Sequence, residues 1–151
     1  MPKRYLLEGD PYHCQCMKTS RLVADELGLS ADDYMSTFQS RFGRDEWLKP
    51  YTDETLQGLP EEGVKSLQIV CPGFSADCLE TIEEIGMENR DYFLEAGGER
   101  YEYIPYRDLP ARNSKFYGAC EPTSTGANHY GVWHQVAVKT FDAIAPALFG
   151  F

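Results

Sequence analysis

The run from Ser66 to Cys71 constrains this chain more than any other stretch. Leu67, Ile69 and Val70 make it almost continuously apolar, and Gly63 and Pro72-Gly73 close it at either end. A run this short and this apolar reads as a strand covered on both faces, as strands of parallel sheets are, so helices must lie before and after it. The flanking sequence supplies them. Thr52-Asp53-Glu54 opens a short helix that ends around Gly58 to Pro60, and a longer acidic one is expected from about Asp77 to Ala96. Leu79, Ile82, Ile85, Phe93 and Leu94 give the longer helix a buried side, and Gly97-Gly98 stops it.

The same pattern extends outward. Gly9-Asp10-Pro11 is a turn that can open a helix, and Met17, Leu22, Val23, Ala24 and Leu27 carry a helical period from Cys14 to Leu27, with Gly28 placed to cap it. Tyr34 to Ser40 and Tyr101 to Ile104 read as short strands. Helix and strand alternate, the order of an α/β fold with an open, mostly parallel sheet and flanking helices. Ligands of such sheets lie beyond the carboxyl ends of the strands, which is where Pro72 to Asp77 falls. From Pro105 the character changes: Gly, Asn, Ser and Thr become frequent up to Gly131. Trp133, Val136, Ala137, Thr140, Phe141, Ile144 and Leu148 then approximate a helical stripe, and a docking helix interrupted by Pro146 is expected there.

A net charge of −10 argues against nucleic acid as a partner, since phosphate backbones need a basic footprint, and favours cationic or metallic partners. Five cysteines, with no CxxC pair and no signal-peptide pattern at the start, point to free thiols in a reducing, cytoplasmic setting. No apolar run approaches the roughly 18 residues needed to span a bilayer. Peripheral membrane contact stays open. His13, Cys14 and Cys16 cluster, yet lack the second pair that a structural zinc site needs.

Within the acidic helix, Glu80, Glu84 and Glu88 recur every four residues. That spacing lines them up on one face over about 12 Å and sets like charges side by side, at a cost of roughly 0.2–0.5 kcal/mol per pair. A cationic partner explains why such a row is kept. The plainer readings are a solvated helix face, or a capping box that Glu80 completes with Asp77.

Several ordered segments carry a resemblance: Gly9-Asp10-Pro11-Tyr12, Phe38-Gln39-Ser40-Arg41-Phe42-Gly43, Trp47-Leu48, Thr52-Asp53-Glu54, and Cys71 through Thr81. Together, over positions 2 to 104, they resemble the carboxyl-terminal half of ferrochelatase, the enzyme family that inserts ferrous iron into a porphyrin. The resemblance implies a chelatase-like, Rossmann-type half-domain over 1–105, with 106–151 a divergent, partly helical tail. It implies that Glu80 is the active-site glutamate, that Glu84 and Glu88 form the acidic row on a helix that widens locally, and that Asp77 is an acidic neighbour at the metal. It places Trp47 near the porphyrin pocket and Gln39, Ser40 and Arg41 at a strand end beneath the site. Ferrous iron is then a substrate, porphyrin a partner, and no tightly bound cofactor is expected.

The chemistry suits these residues. A porphyrin loses two pyrrole protons as the metal enters, which is general-base work for a carboxylate, and ferrous iron binds carboxylates loosely enough to be surrendered. The chain departs from the family in two places. The family's Ser-Phe-His-Gly motif, whose histidine faces the glutamate across the porphyrin, is absent, so a truncated half is expected, to be completed by an amino-terminal half. The tail after Pro105 matches nothing in the family, and His129 and His134 within it are not read as substitutes. Three functions follow: iron insertion of the ferrochelatase type, a porphyrin- or metal-binding fragment without stand-alone catalysis, or a related chelatase acting on another tetrapyrrole.

Overall fold

The computed structural model describes residues 1–39, 41, 43–74, 76–105 and 133–138. In chain order these form α1 (Lys3–Leu7), α2 (Tyr12–Leu27), β1 (Tyr34–Gln39), α3 (Thr52–Gly58) and β2 (Ser66–Val70), then a wide helical segment (Glu80–Glu88), α4 (Asn89–Glu95), β3 (Arg100–Tyr103) and β4 (Trp133–Val138). The fold is α/β, as expected.

Four strands form one sheet in the order β1-β4-β2-β3. β2 and β3 are parallel, whereas β4 runs antiparallel to both β1 and β2, so β1, β2 and β3 all point the same way. Here one expectation is corrected. Trp133–Val138 is a strand and not the start of a helix. Without β4, facing rows of N–H and C=O groups on β1 and β2 would lack their ladder, and a segment that serves both rows gains more than a helical period offers it. Gln39 pairs with Trp133, Phe38 with His134, and Ile69 with Ala137. Residues 106–132 and 139–151, including His129, lie outside the described residues.

Side chains of β1 alternate between two helical layers, as strand geometry requires. Ser36 reaches Ser20 of α2 (Oγ to Oγ, 2.6 Å), and Phe38 packs with Cys16 of the same helix. Thr37 lies on the opposite face, where it accepts a hydrogen bond from Thr52 of α3 at 3.0 Å. Helices therefore cover both faces. The larger core lies on the α3 side, where Leu56, Leu59, Leu67, Ile69, Ile85 and Phe93 are at most 2% exposed. Each contributes on the order of 1.5–3 kcal/mol by leaving water. Burial of Ile85 and Phe93 locks the wide segment and α4 to the sheet.

Local signals account for most boundaries. Asp10 accepts the Tyr12 N–H at 2.8 Å where α2 begins, and Gly28, at φ +67°, ends it. Gly97 takes φ +101° after α4, and Gly98 returns its N–H to the Phe93 carbonyl at 2.9 Å. Lys3–Leu7 carries no strong sequence signal for a helix, yet forms one.

Candidate functional site

The acidic row stands at the carboxyl end of the parallel strands. β2 ends at Val70, Cys71–Phe74 turns with Phe74 N–H donating to the Cys71 carbonyl at 3.1 Å, and the helix rises from there. It is not an α-helix at first. From Glu80 to Glu88 the backbone adopts the five-residue bonding of a π-helix, and the change to α occurs at Asn89, whose N–H donates to the Glu84 carbonyl. Such widened turns are rare and frequent at functional sites. The simple four-residue ladder is thereby corrected to a wider winding that still groups the three acids, because the charges of Glu80 and Glu88 both act on Glu84.

The three carboxylates sit in different surroundings. Glu80 is held below the usual carboxylate range by its own backbone N–H and by the Cys78 thiol. Glu84 is pushed above that range, first by burial and then by its two acidic neighbours, against a hydrogen bond from Gln39 that favours the charged form. That bond, Gln39 Nε2 to Glu84 Oε2 at 2.6 Å, ties the end of β1 to the middle of the row. Surroundings that push neighbouring carboxyls in opposite directions are the pattern found where acid and base roles are divided.

Asp77 is engaged at the start of the row. Its Oδ1 accepts from Tyr103 Oη at 2.5 Å and from Thr81 Oγ1 at 3.4 Å. At the start of the row Thr81 Oγ1 accepts the Cys78 N–H at 2.9 Å, and Leu79, which precedes the wide segment, supplies no side-chain cap. Among the described residues, no group of three His, Cys, Asp or Glu side chains converges as a metal cage.

The remaining expected residues divide. Gln39 belongs to the acidic site through Glu84. Arg41 instead pairs with Asp53 and with Glu54 (2.7 Å) on α3, and its guanidinium lies 4.3 Å over the Tyr51 ring. Trp47 belongs to the second cluster, with Met1, Cys16, Phe38 and Leu48, and bridges to Pro2. Ser40 lies outside the described residues. A hollow of about 470 Å³ opens at the opposite end of β1, between α2 and Tyr34, and is lined by none of Glu80, Glu84 and Glu88. Tyr101, Tyr103 and Asn89 were not anticipated. Their only signal in the sequence is the alternation of two tyrosines on a strand that follows the acidic helix.

A family model described as ferrochelatase matches residues 1–114. The chain belongs to the ferrochelatase family. A ferrochelatase from Pseudoalteromonas atlantica is 78% identical over 104 residues, covering 69% of this chain and 29% of that protein. Ferrochelatases from Idiomarina loihiensis and Marinobacter nauticus are each 70% identical, over 69% and 70% of this chain and 29% and 28% of their own lengths. The chain thus spans less than a third of the ferrochelatases it resembles. No solved structure matches it. Among the described residues, no helix is long and apolar enough to cross a membrane.

Proposed function

We propose that this chain supplies the acidic wall of a ferrochelatase, a metal-inserting lyase of haem synthesis, and that its substrates are ferrous iron and protoporphyrin. Glu80 is the metal-site carboxylate and proton acceptor, with Asp77 as its acidic neighbour at the metal, and Glu84 and Glu88 move protons along the row. Gln39 orients Glu84, while Ser40 and Trp47 contact the ring. Residues 1–105 form the half-domain and 106–151 a divergent tail, in a cytoplasmic protein.

The observation that carries this reading is the widened helix at the strand ends, which carries Glu80, Glu84 and Glu88 and ties Glu84 to Gln39 at 2.6 Å, with Glu80 lowered and Glu84 raised from the ordinary carboxylate range. Two pyrrole protons must leave as iron enters, and a charged acceptor followed by a carboxyl that holds and releases protons suits that sequence. Both are exposed enough to exchange with solvent, which a structural ion pair does not require. Ferrous iron and protoporphyrin are supplied to the chain and the Soret band followed, with and without an amino-terminal fragment of the Pseudoalteromonas atlantica relative. Metallation that survives Glu80→Ala unchanged removes Glu80 from the mechanism.

A second reading is a porphyrin- or metal-binding fragment without stand-alone catalysis. Porphyrin fluorescence separates the two. Quenching without a metalloporphyrin Soret band supports the binding fragment, and metallation by the chain alone refutes it.

A further inference from the structure

The wide segment creates a backbone problem that β3 resolves. Where five-residue bonding gives way to four-residue bonding, one carbonyl falls between the two ladders. Asn89 N–H serves Glu84, four-residue bonding directs the next N–H, that of Arg90, to position 86, and the Ile85 carbonyl is left over. Ile85 is wholly buried, so water does not serve that group, and an unmatched buried carbonyl is expensive. Tyr101 Oη donates to the Ile85 carbonyl at 2.7 Å. Asn89 adds a second donor to the neighbouring carbonyl, with Nδ2 2.6 Å from Glu84 O.

The opposite end of the segment is held from the same strand. Tyr103 is two residues from Tyr101 and lies on the same face of β3, the two pairing with Leu67 and Ile69 of β2. Its hydroxyl donates to Asp77, and Asp77 in turn meets Thr81, which fixes the Cys78 N–H. The Tyr103 ring also lies against the bare backbone of Gly86, its Cδ1 3.5 Å from where a Cβ would stand.

We infer that Tyr101 and Tyr103 are positioning residues that brace the two ends of the widened turn from β3 and thereby set the acids against Gln39. The brace rests on the acidic-site reading for its purpose, though not for its geometry. Neither hydroxyl touches the row itself. A phenylalanine at 101 keeps the ring against Phe93, whose centroid is 6.0 Å away, and removes only the donor.

Tyr101→Phe and Tyr103→Phe are made separately in the 151-residue chain, and three quantities are read: amide exchange along 78–89, amide exchange along β2 as the internal reference, and the NMR titration of the Glu84 carboxyl. Loss of a donor to a buried carbonyl predicts exchange about five- to a hundredfold faster at Asn89 in Tyr101→Phe, with β2 unmoved. Tyr103→Phe is expected to speed exchange at Cys78 and Thr81 instead. In Tyr101→Phe the Glu84 titration moves toward the ordinary carboxylate range as the row loosens. Unchanged exchange and titration overturn the brace, as does a rise shared equally by β2, which marks general destabilisation. Zinc alone, titrated against the unaltered chain and Glu80→Gln, tests the functional reading independently. Equal zinc affinity there counts against the metal-site role, while the exchange results still decide the brace.

Discussion

Replacing Glu84 with glutamine should make the protein more stable at neutral pH while impairing the proposed chemistry. Glu84 is flanked by two acids whose charges act on it, and like-charge pairs along a helix surface cost about 0.2–0.5 kcal/mol each. Two pairs amount to about 0.4–1 kcal/mol. Glutamine keeps the shape and still offers an oxygen to Gln39 Nε2, although the bond loses its charge assistance, which trims the gain. The direction follows from linkage. A carboxyl whose folded pKa is raised favours the fold in its protonated form; that contribution is complete below the unfolded pKa and disappears as pH rises through the folded one. The advantage of Glu84→Gln should therefore be smallest at the acid end of the range and grow as pH rises through the window just above the usual carboxylate range. Urea unfolding of both proteins across pH 4 to 7 measures it, and a melting temperature higher by about 1–4 °C at pH 7 is expected. A variant less stable than its parent at pH 7, or an advantage that does not vary with pH, refutes the reasoning.

Other perturbations test the scaffold beneath the site. Gly98→Ala would set a Cβ 2.2 Å from Phe93 Cε1, and because that ring is wholly buried the substitution should cost about 1–3 kcal/mol in chemical denaturation; in a Phe93→Leu background the cost should largely vanish, and an unchanged cost there would show that the ring is not the obstacle. Ile85→Ala, at a wholly buried position, should lose about 2–5 kcal/mol and accelerate amide exchange in the wide segment; exchange like that of the parent would detach the segment's order from its core contact. Iodoacetamide should modify exposed Cys14 well before buried Cys71, whose thiol burial pushes far above its ordinary range, with Cys71 reacting only under denaturant; early labelling of Cys71 by mass spectrometry would contradict its burial.

Much of the local structure was legible because it depends on residues near one another. The apolar run at 66–70, the glycine that ends α2 and the Gly97-Gly98 stop after α4 each state their own backbone requirement. The spacing of Glu80, Glu84 and Glu88 likewise announced an acidic face. At 133–138 the same kind of reading failed. Its apolar spacing fits a helix, and pairing there is decided by the open edges of β1 and β2, which lie far away in sequence.

By itself, the order of residues determined the alternation of helices and strands, the acidic character of one helix and the place of that helix after the central apolar strand. Those are consequences of side-chain period and of glycine and proline geometry, which act over a few residues. Tertiary structure alone decided that Gln39 meets Glu84, that burial raises Glu84 while Glu80 is held low, and that Tyr101 and Tyr103 reach the wide segment. These depend on groups far apart in sequence being packed together: the end of β1 against Glu84, and two tyrosines of β3 against the Ile85 carbonyl and Asp77.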